Sequence, residues 1–113
     1  MLQYFSERTG LVALVDNEIV GYMITQQQTP KKFYVNSIHI LKEFQGIGIG
    51  VNLLQTAIQK AKDLGYKKIW LDVMTKNKKT VDWYNAQGFV FHSKSIYKMG
   101  DTEAEIMIMY KVI

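Results

Sequence analysis

The chain has 113 residues, of which 48% are hydrophobic and 21% charged, with a net charge of +4 and no cysteine. This length fits a single domain, residues 1–113, and the lack of cysteine excludes disulfides, a thiolate zinc site and a cysteine nucleophile. The weak positive charge suits an anionic small ligand as well as nucleic acid. No apolar run approaches the ~20 residues that span a bilayer, and the first residues lack the order of a signal peptide, so we expect a cytoplasmic protein.

The first third of the chain has the composition of short strands separated by turns. The apolar and β-branched pattern predicts strands at 11–15, 18–25 and 33–40, with a loop at 26–32. Asp16 and Asn17 are typical of the tight turn of a hairpin between the first two strands. Pro30, the only proline, favours the loop that follows the second strand.

The rest of the chain alternates between helical and extended patterns. It predicts a helix at 48–64, a strand at 67–75, a helix at 77–86, and strands at 89–98 and 105–113. Gly65 is typical of a left-handed helix cap, and Gly88 stops the second helix. Trp70 and Asp72 occupy alternate positions of their strand, of which one face is expected to be core and the other to be open to substrate. A strand, a helix and a strand in this order form a parallel pair, so the predicted class is α/β with a mixed sheet.

Three glycines lie between a predicted strand and the longest predicted helix. Gly46, Gly48 and Gly50 let backbone N–H groups come close to a ligand, and the helix N-terminus adds unpaired donors and a partial positive charge. This combination attracts phosphate and predicts a pyrophosphate-bearing cofactor. A plain strand-to-helix turn is the alternative. A Rossmann site would need glycine in place of Val51 and an acid at the end of the next strand, whereas Asp72 lies in mid-strand.

Two motifs follow one another along the chain, Gln45-x-x-Gly48-x-Gly50 and Asn77-x-x-Thr80-x-x-x-Tyr84-x-x-x-Gly88-Phe89. With a helix and a strand between them, they resemble the signatures of the GNAT superfamily of acyl-CoA-dependent N-acetyltransferases, with Thr80 in place of the usual alanine. The resemblance covers residues 10–113. It implies a mixed, mostly antiparallel sheet with a central splayed pair of parallel strands and two main helices. Family members carry a strand and two helices before the first hairpin, and we expect those helices to be missing here.

The resemblance also assigns roles to single residues. The amides at 46–51 would hold the CoA pyrophosphate, the backbone at 38–40 would pair with the pantetheine arm, and Asn77 would contact that arm. Tyr84 would be the catalytic general acid that faces the sulfur. The cofactor-binding residues implied in this way are Ile38, His39, Ile40, Gln45, Gly46, Ile47, Gly48, Ile49, Gly50, Val51, Asn77 and Tyr84. No metal is implied.

Other interpretations of these residues stay open. Asn77 is also a favoured helix N-cap, and Tyr84 could instead pack in the core. The lysines at 76, 78 and 79 are typical of a solvated helix start, with a contact to the CoA 3′-phosphate as the alternative. No side chain stands out as the general base; the polar candidates are Asn36, His39 and Glu43, beside a water relay.

The chemistry implied by the family sets three requirements. The attacking amine must be neutral, whereas a lysine-like amine with a pKa of about 10.4 is mostly protonated at neutral pH. The carbonyl oxygen needs a donor, which an amide beside Ile40 can supply. The leaving thiolate needs a proton, but a phenol with a pKa of about 10 is a weaker acid than a thiol at about 8.5. Tyr84 is therefore expected to share its proton through a hydrogen bond.

These points predict an N-acetyltransferase that transfers the acetyl group of acetyl-CoA to a primary amine by direct attack in a ternary complex. The absence of cysteine argues against a thiol acyl-enzyme. The expected acceptor is a small amine or a peptide amine; nucleic acid and membrane are not expected partners. The alternative function is a CoA-binding regulatory or interaction module without catalysis. A homodimer that covers the edge of the first strand is a further hypothesis.

Overall fold

The structure, a computed structural model, describes residues 6–28 and 32–113. The elements in chain order are β1 Ser6–Val15, β2 Glu18–Gln28, β3 Lys32–Ile40, a 3-10 helix Lys42–Phe44, α1 Ile49–Asp63, β4 Lys68–Met74, α2 Lys78–Ala86, β5 Val90–Met99 and β6 Thr102–Val112. The predicted strands and helices are all present. Pro30, which the sequence assigns to a loop, lies outside the described residues.

The six strands form one sheet in the order β1-β2-β3-β4-β6-β5. Neighbouring strands are antiparallel except for the central pair, β3 and β4, which is parallel. The hairpin turn between β1 and β2 has Asp16 and Asn17 at φ 52° and 65°. These short polar side chains tolerate the left-handed region, and two such residues in succession match the twist of a hairpin. The predicted mixed sheet with a central parallel pair is therefore confirmed.

Several strands extend beyond the apolar segments that predicted them. β1 begins at Ser6, and its first residues pair with the glutamines at the end of β2, so β2 continues into the predicted loop. β6 begins at Thr102, which pairs with Met99 across the turn at Gly100-Asp101. Backbone hydrogen bonds between neighbouring strands hold these polar segments in the sheet. A prediction from hydrophobic residues does not include such bonds.

The core lies between the sheet and the two helices, which pack on the same face. The largest fully buried side chains include Phe33 of β3, Leu54 of α1, Ile69 of β4 and Phe89. The core cluster joins residues from both helices to the sheet in one continuous group. The other face of the sheet is covered by neither helix, so the two sides of the parallel pair have different surroundings.

Candidate cofactor-binding cleft

The central parallel strands separate part of the way along their length. Only three residue pairs join β3 to β4, and the last is Val35 with Leu71. The register between β2 and β3 shifts at this point and leaves Asn36 as an extra residue, which makes a β-bulge. Beyond the bulge, β3 continues to pair with β2 on one side, while its other edge faces a gap.

Backbone groups on this free edge of β3 are open to a ligand. The Leu41 N–H donates to the Val20 carbonyl at 2.8 Å, so the Ile40 carbonyl of the same peptide points away from β2. By alternation along the strand, the backbone groups of Ile38 and Ile40 point into the gap, and those of His39 point toward β2. Of the three residues predicted to pair with the pantetheine arm, Ile38 and Ile40 are therefore the two whose backbone groups point into the gap.

The turn after β3 is shaped by two glycines and braced by one side chain. Gly46 and Gly48 have φ of 78° and 94°, a region that other residues enter only with strain. The Gln45 side chain donates from Nε2 to the Ile40 carbonyl at 3.0 Å. This bond fixes the turn to the end of β3 and satisfies the carbonyl that would otherwise face the gap.

A row of backbone donors at this turn has no protein acceptor. The first hydrogen bond of α1 runs from the Asn52 N–H to the Gly48 carbonyl at 3.0 Å. In the described part of the chain, no N–H of residues 46–51 donates to a protein atom. Because the start of α1 also carries a partial positive charge, the turn is suited to bind an anion.

The third glycine has a packing role. A Cβ atom on Gly50 would lie 3.2 Å from Ile40 Cδ1 and 3.3 Å from Trp83 Cζ2. These contacts are tighter than ordinary van der Waals separations. Glycine at this position therefore lets α1 approach both β3 and α2, which brings the anion-binding turn beside the free strand edge.

The second helix forms the opposite wall of the cleft. Asn77 occupies the N-cap position of α2, but its side chain makes no capping hydrogen bond. Lys79, Thr80 and Trp83 face the cleft from the first turns of the helix. The chain leaves α2 through Gly88, and Lys111 Nζ donates to the Gln87 carbonyl at 2.7 Å, which fixes the helix to β6.

Tyr84 is buried in this wall and still reaches the cleft. The residue is 5% exposed, with its ring centroid 5.1 Å from that of Trp83 and 5.4 Å from that of Phe89. Its hydroxyl has no hydrogen-bond partner among the described residues. The hydroxyl oxygen is not fully buried, so it remains open to the cleft. Burial raises the pKa of Tyr84 to about 12. The hydroxyl is therefore a free donor that holds its proton firmly.

The cleft enclosed by these elements has a volume of about 940 Å³. Its lining includes eight of the predicted residues: Ile38, Ile40, Gln45, Gly46, Gly48, Gly50, Val51 and Tyr84. The other four predicted residues, His39, Ile47, Ile49 and Asn77, do not line it. The sequence interpretation did not assign Thr80, Asp82 or Trp83 to the site, and it gave Lys79 a surface role first. The sequence marks these four residues as site residues only in that they lie inside the second motif.

The three candidate bases have different surroundings. The His39 ring lies beside the Tyr22 ring, with centroids 5.1 Å apart, on the face that the helices do not cover. Asn36 Nδ2 donates to Gln26 Oε1. Glu43 is exposed on the 3-10 helix. Within the described residues, no group of three or more His, Asp and Glu side chains could hold a metal ion, and no helix has the length and apolar character to cross a membrane.

Comparison with solved structures finds the same fold in acetyltransferases. A GNAT family acetyltransferase from Elizabethkingia anophelis with acetyl-CoA bound superposes with a TM-score of 0.77 at 21% identity, covering 90% of this chain and 74% of that one. The ribosomal-protein-S18-alanine N-acetyltransferase from Escherichia coli gives a TM-score of 0.79 at 21% identity, covering 94% and 69%. At these identities the likeness establishes the fold.

Sequence comparison identifies the family. An N-alpha-acetyltransferase from Sulfurisphaera tokodaii is 32% identical over 95 residues, which cover 74% of this chain and 57% of the relative. An uncharacterized N-acetyltransferase from Lactobacillus delbrueckii subsp. lactis is 24% identical over 106 residues, and this chain spans 61% of its length. The sequence model of the Acetyltransferase (GNAT) family matches residues 1–89. A match over most of the chain, on a sheet that splays beside an open glycine turn, means that the chain belongs to the GNAT acetyltransferase family.

Proposed function

We propose that the protein is an N-acetyltransferase that transfers the acetyl group of acetyl-CoA to a primary amine by direct attack in a ternary complex. The observation that carries the proposal is the row of unengaged amides at residues 46–51, which opens into the same cleft as the free edge of β3. An anion site and a strand edge side by side suit a ligand with a diphosphate and an extended amide-containing arm.

The residues of the cleft fit the two ends of such a ligand. The amides at 46–51 would bind the diphosphate of CoA, and Lys79 on the opposite wall adds a positive charge. The backbone groups of Ile38 would pair with an amide of the pantetheine arm, as an added strand pairs with a sheet edge, whereas the Ile40 carbonyl already accepts from Gln45 Nε2. A relative with the same fold has acetyl-CoA bound, which supports this assignment. The contribution of Asn77 to the arm stays a prediction.

Bound acetyl-CoA would supply an activated acyl group at the splay. The Ile40 N–H points into the gap and is the donor proposed for the carbonyl oxygen, where one such hydrogen bond contributes about 3 kcal/mol. Tyr84 would donate a hydrogen bond to the departing sulfur. Full proton transfer from a phenol of pKa about 12 to a thiolate of pKa about 8.5 is uphill by about 5 kcal/mol, which favours the shared proton.

Calorimetry with acetyl-CoA and a kinetic study of Tyr84→Phe test the proposal. Binding at micromolar concentration is expected. Tyr84→Phe should lower turnover by about 10²-fold and leave the affinity for CoA nearly unchanged, because the hydroxyl acts on the leaving sulfur. Tyr97→Phe, at an exposed tyrosine on β5, is the matched control.

Three outcomes are informative. Failure to bind acetyl-CoA would exclude the proposal. Binding without acetyl transfer to any amine, peptide or polyamine would favour the non-catalytic CoA-binding module. An equal loss of binding and turnover in Tyr84→Phe would mean that Tyr84 only maintains the structure. Cytoplasmic location and a homodimer stay predictions, to be checked by fractionation and light scattering.

A further inference from the structure

Asp72 occupies the point where the sheet opens. It is the first residue of β4 beyond the last pair with β3, Val35 and Leu71. Alternation along β4 places Ile69 and Leu71 in the core under the helices and Asp72 on the opposite face. A carboxylate therefore stands at the mouth of the gap on the face that neither α1 nor α2 covers.

The carboxylate has charged and titratable neighbours but no partner. Asp72 forms no hydrogen bond and no ion pair within 4.0 Å with any residue in the described ranges. Burial by the neighbouring strands raises its pKa, and the charge of Lys32 partly opposes this effect. Lys32 itself is held over the Trp70 ring, with Nζ 4.2 Å from the centroid. Tyr34 pairs with Trp70 across the parallel strands and so lies on the same face as Asp72, and its pKa is raised by burial and then by the negative charge of Asp72.

The other groups on this face do not neutralise Asp72. Lys68 Nζ lies 4.8 Å from the Tyr110 ring centroid, and the His92 ring packs edge-on against Trp70. Asp72 is thus a carboxylate at the gap with no ion-pair or hydrogen-bond partner among residues 6–28 and 32–113.

We infer that Asp72 binds the ammonium group of the acceptor at the mouth of the gap and accepts its proton before attack. The inference rests on the proposed function, because it assumes that the acetyl donor enters from the helix side. When acetyl-CoA occupies the helix side, an amine can approach the gap from the helix-free face, on which Asp72 lies. The acceptor is a primary amine that is protonated in solution. Tyr34, on the same face as Asp72, would contact the carbon chain that carries the amine.

Proton transfer from the acceptor nitrogen precedes acyl transfer. A carboxylate oxygen of Asp72 accepts one proton from the ammonium nitrogen. The nitrogen lone pair then forms the bond to the acetyl carbon, and the carbon–sulfur bond breaks with its electron pair on sulfur. The second nitrogen proton passes to that sulfur, so the products are an amide, a thiol and a protonated Asp72, which releases its proton to water.

The experiment compares two nucleophiles that differ in protonation. Butylamine, with a lysine-like pKa of about 10.4, must lose a proton before it attacks, whereas hydroxylamine is already neutral at neutral pH. Asp72→Asn should lower the enzyme-catalysed rate with butylamine by about 10²-fold and remove the rise of that rate as Asp72 ionises. Its rate with hydroxylamine and its affinity for CoA should stay within about twofold. Asp101→Asn, in the exposed turn after β5, is the matched control.

A binding readout accompanies the kinetics. Carbon-13 NMR of the Asp72 carboxyl group, in protein saturated with CoA, should show a lower pKa when butylamine is added, because a nearby cation favours the charged form. An unchanged butylamine rate in Asp72→Asn, an equal loss with both nucleophiles, or a titration that butylamine does not move would overturn the inference. If the wild-type protein binds CoA but acetylates neither nucleophile, the proposed function fails first, and the role of Asp72 fails with it.

Discussion

The two ends of each helix differ in how their backbone groups are satisfied. At the C-terminal end of α1, the N–H groups of Gly65 and Tyr66 donate to the carbonyls of Lys62 and Ala61, and Gly65 has φ 90°. The end of α2 repeats this pattern, because the N–H groups of residues 88 and 89 donate to the carbonyls of residues 85 and 84. Both are Schellman motifs, which close a helix with its own backbone.

The N-terminal ends are open. Gly48 precedes α1 with no side-chain cap, and Asn77 precedes α2 without a capping hydrogen bond. Among residues 6–28 and 32–113, the first N–H groups of both helices have no protein acceptor, whereas most carbonyls of their last turns accept a hydrogen bond. The fold therefore makes no use of these N-terminal groups itself, and at α1 they line the cleft that we assign to the cofactor.

The largest expected effect is a loss of CoA affinity that occurs at one end of α1 and not at the other. Gly48→Ala and Gly65→Ala both place a Cβ in open space at a positive φ, so both should lose about 1–2 kcal/mol of stability. Only Gly48→Ala moves the amides of the turn, and a lost charge-assisted hydrogen bond should weaken CoA binding by about 10–100-fold. Denaturant unfolding and calorimetry measure the two effects. Equal CoA affinities in the two variants would contradict the assignment of CoA binding to the N-terminal end of α1 alone.

The second prediction concerns Tyr84, which belongs to both regions. Its carbonyl helps to close α2, and its hydroxyl faces the cleft. Because its folded pKa is about 12 against about 10 when unfolded, its stabilising contribution is complete below pH 10 and is lost as the pH rises toward 12. The loss should reach about 1.4 kcal/mol near pH 11. Urea unfolding at both pH values should show this loss in the wild type and a smaller one in Tyr84→Phe.

The third prediction tests the closed end of α2. Lys111→Met removes the hydrogen bond to the Gln87 carbonyl and a cation from the helix C-terminus, and should reduce the free energy of unfolding by about 1 kcal/mol. CoA affinity should not change, because the closed end takes no part in binding. Lys98→Met, at an exposed lysine in a surface ion pair, serves as the control. A loss of CoA affinity in Lys111→Met would show that the ends are coupled.

The smallest effect is expected at the open end of α2. Replacing an N-cap asparagine with alanine usually costs about 1 kcal/mol, but the Asn77 side chain makes no cap bond, so Asn77→Ala should change stability by less than about 0.5 kcal/mol. A several-fold weaker affinity for CoA would support the predicted contact with the pantetheine arm. A full 1 kcal/mol loss of stability with unchanged affinity would identify Asn77 as an ordinary cap.

The closed ends were predictable from sequence, and parts of the open site were not. Gly65 and Gly88 mark the helix ends because only glycine enters a positive φ without strain, and this is a local property of the chain. The glycine turn was predicted for the same reason. The family resemblance implies a splay at a bulge, but the position of the bulge at Asn36 depends on how two strands pair, and that of Trp83 against Gly50 depends on the packing of two helices. No local pattern records these non-local contacts.

The amides at the start of α1 are the groups to which we assign the CoA diphosphate. A nitrogen-15 NMR titration of the full chain with CoA follows every backbone N–H at once, including both ends of that helix. We expect large downfield shifts and slowed exchange at residues 46–51, with little change at residues 64–66. CoA binding that leaves residues 46–51 unperturbed, or no binding at all, would contradict the assignment of this turn as the diphosphate site.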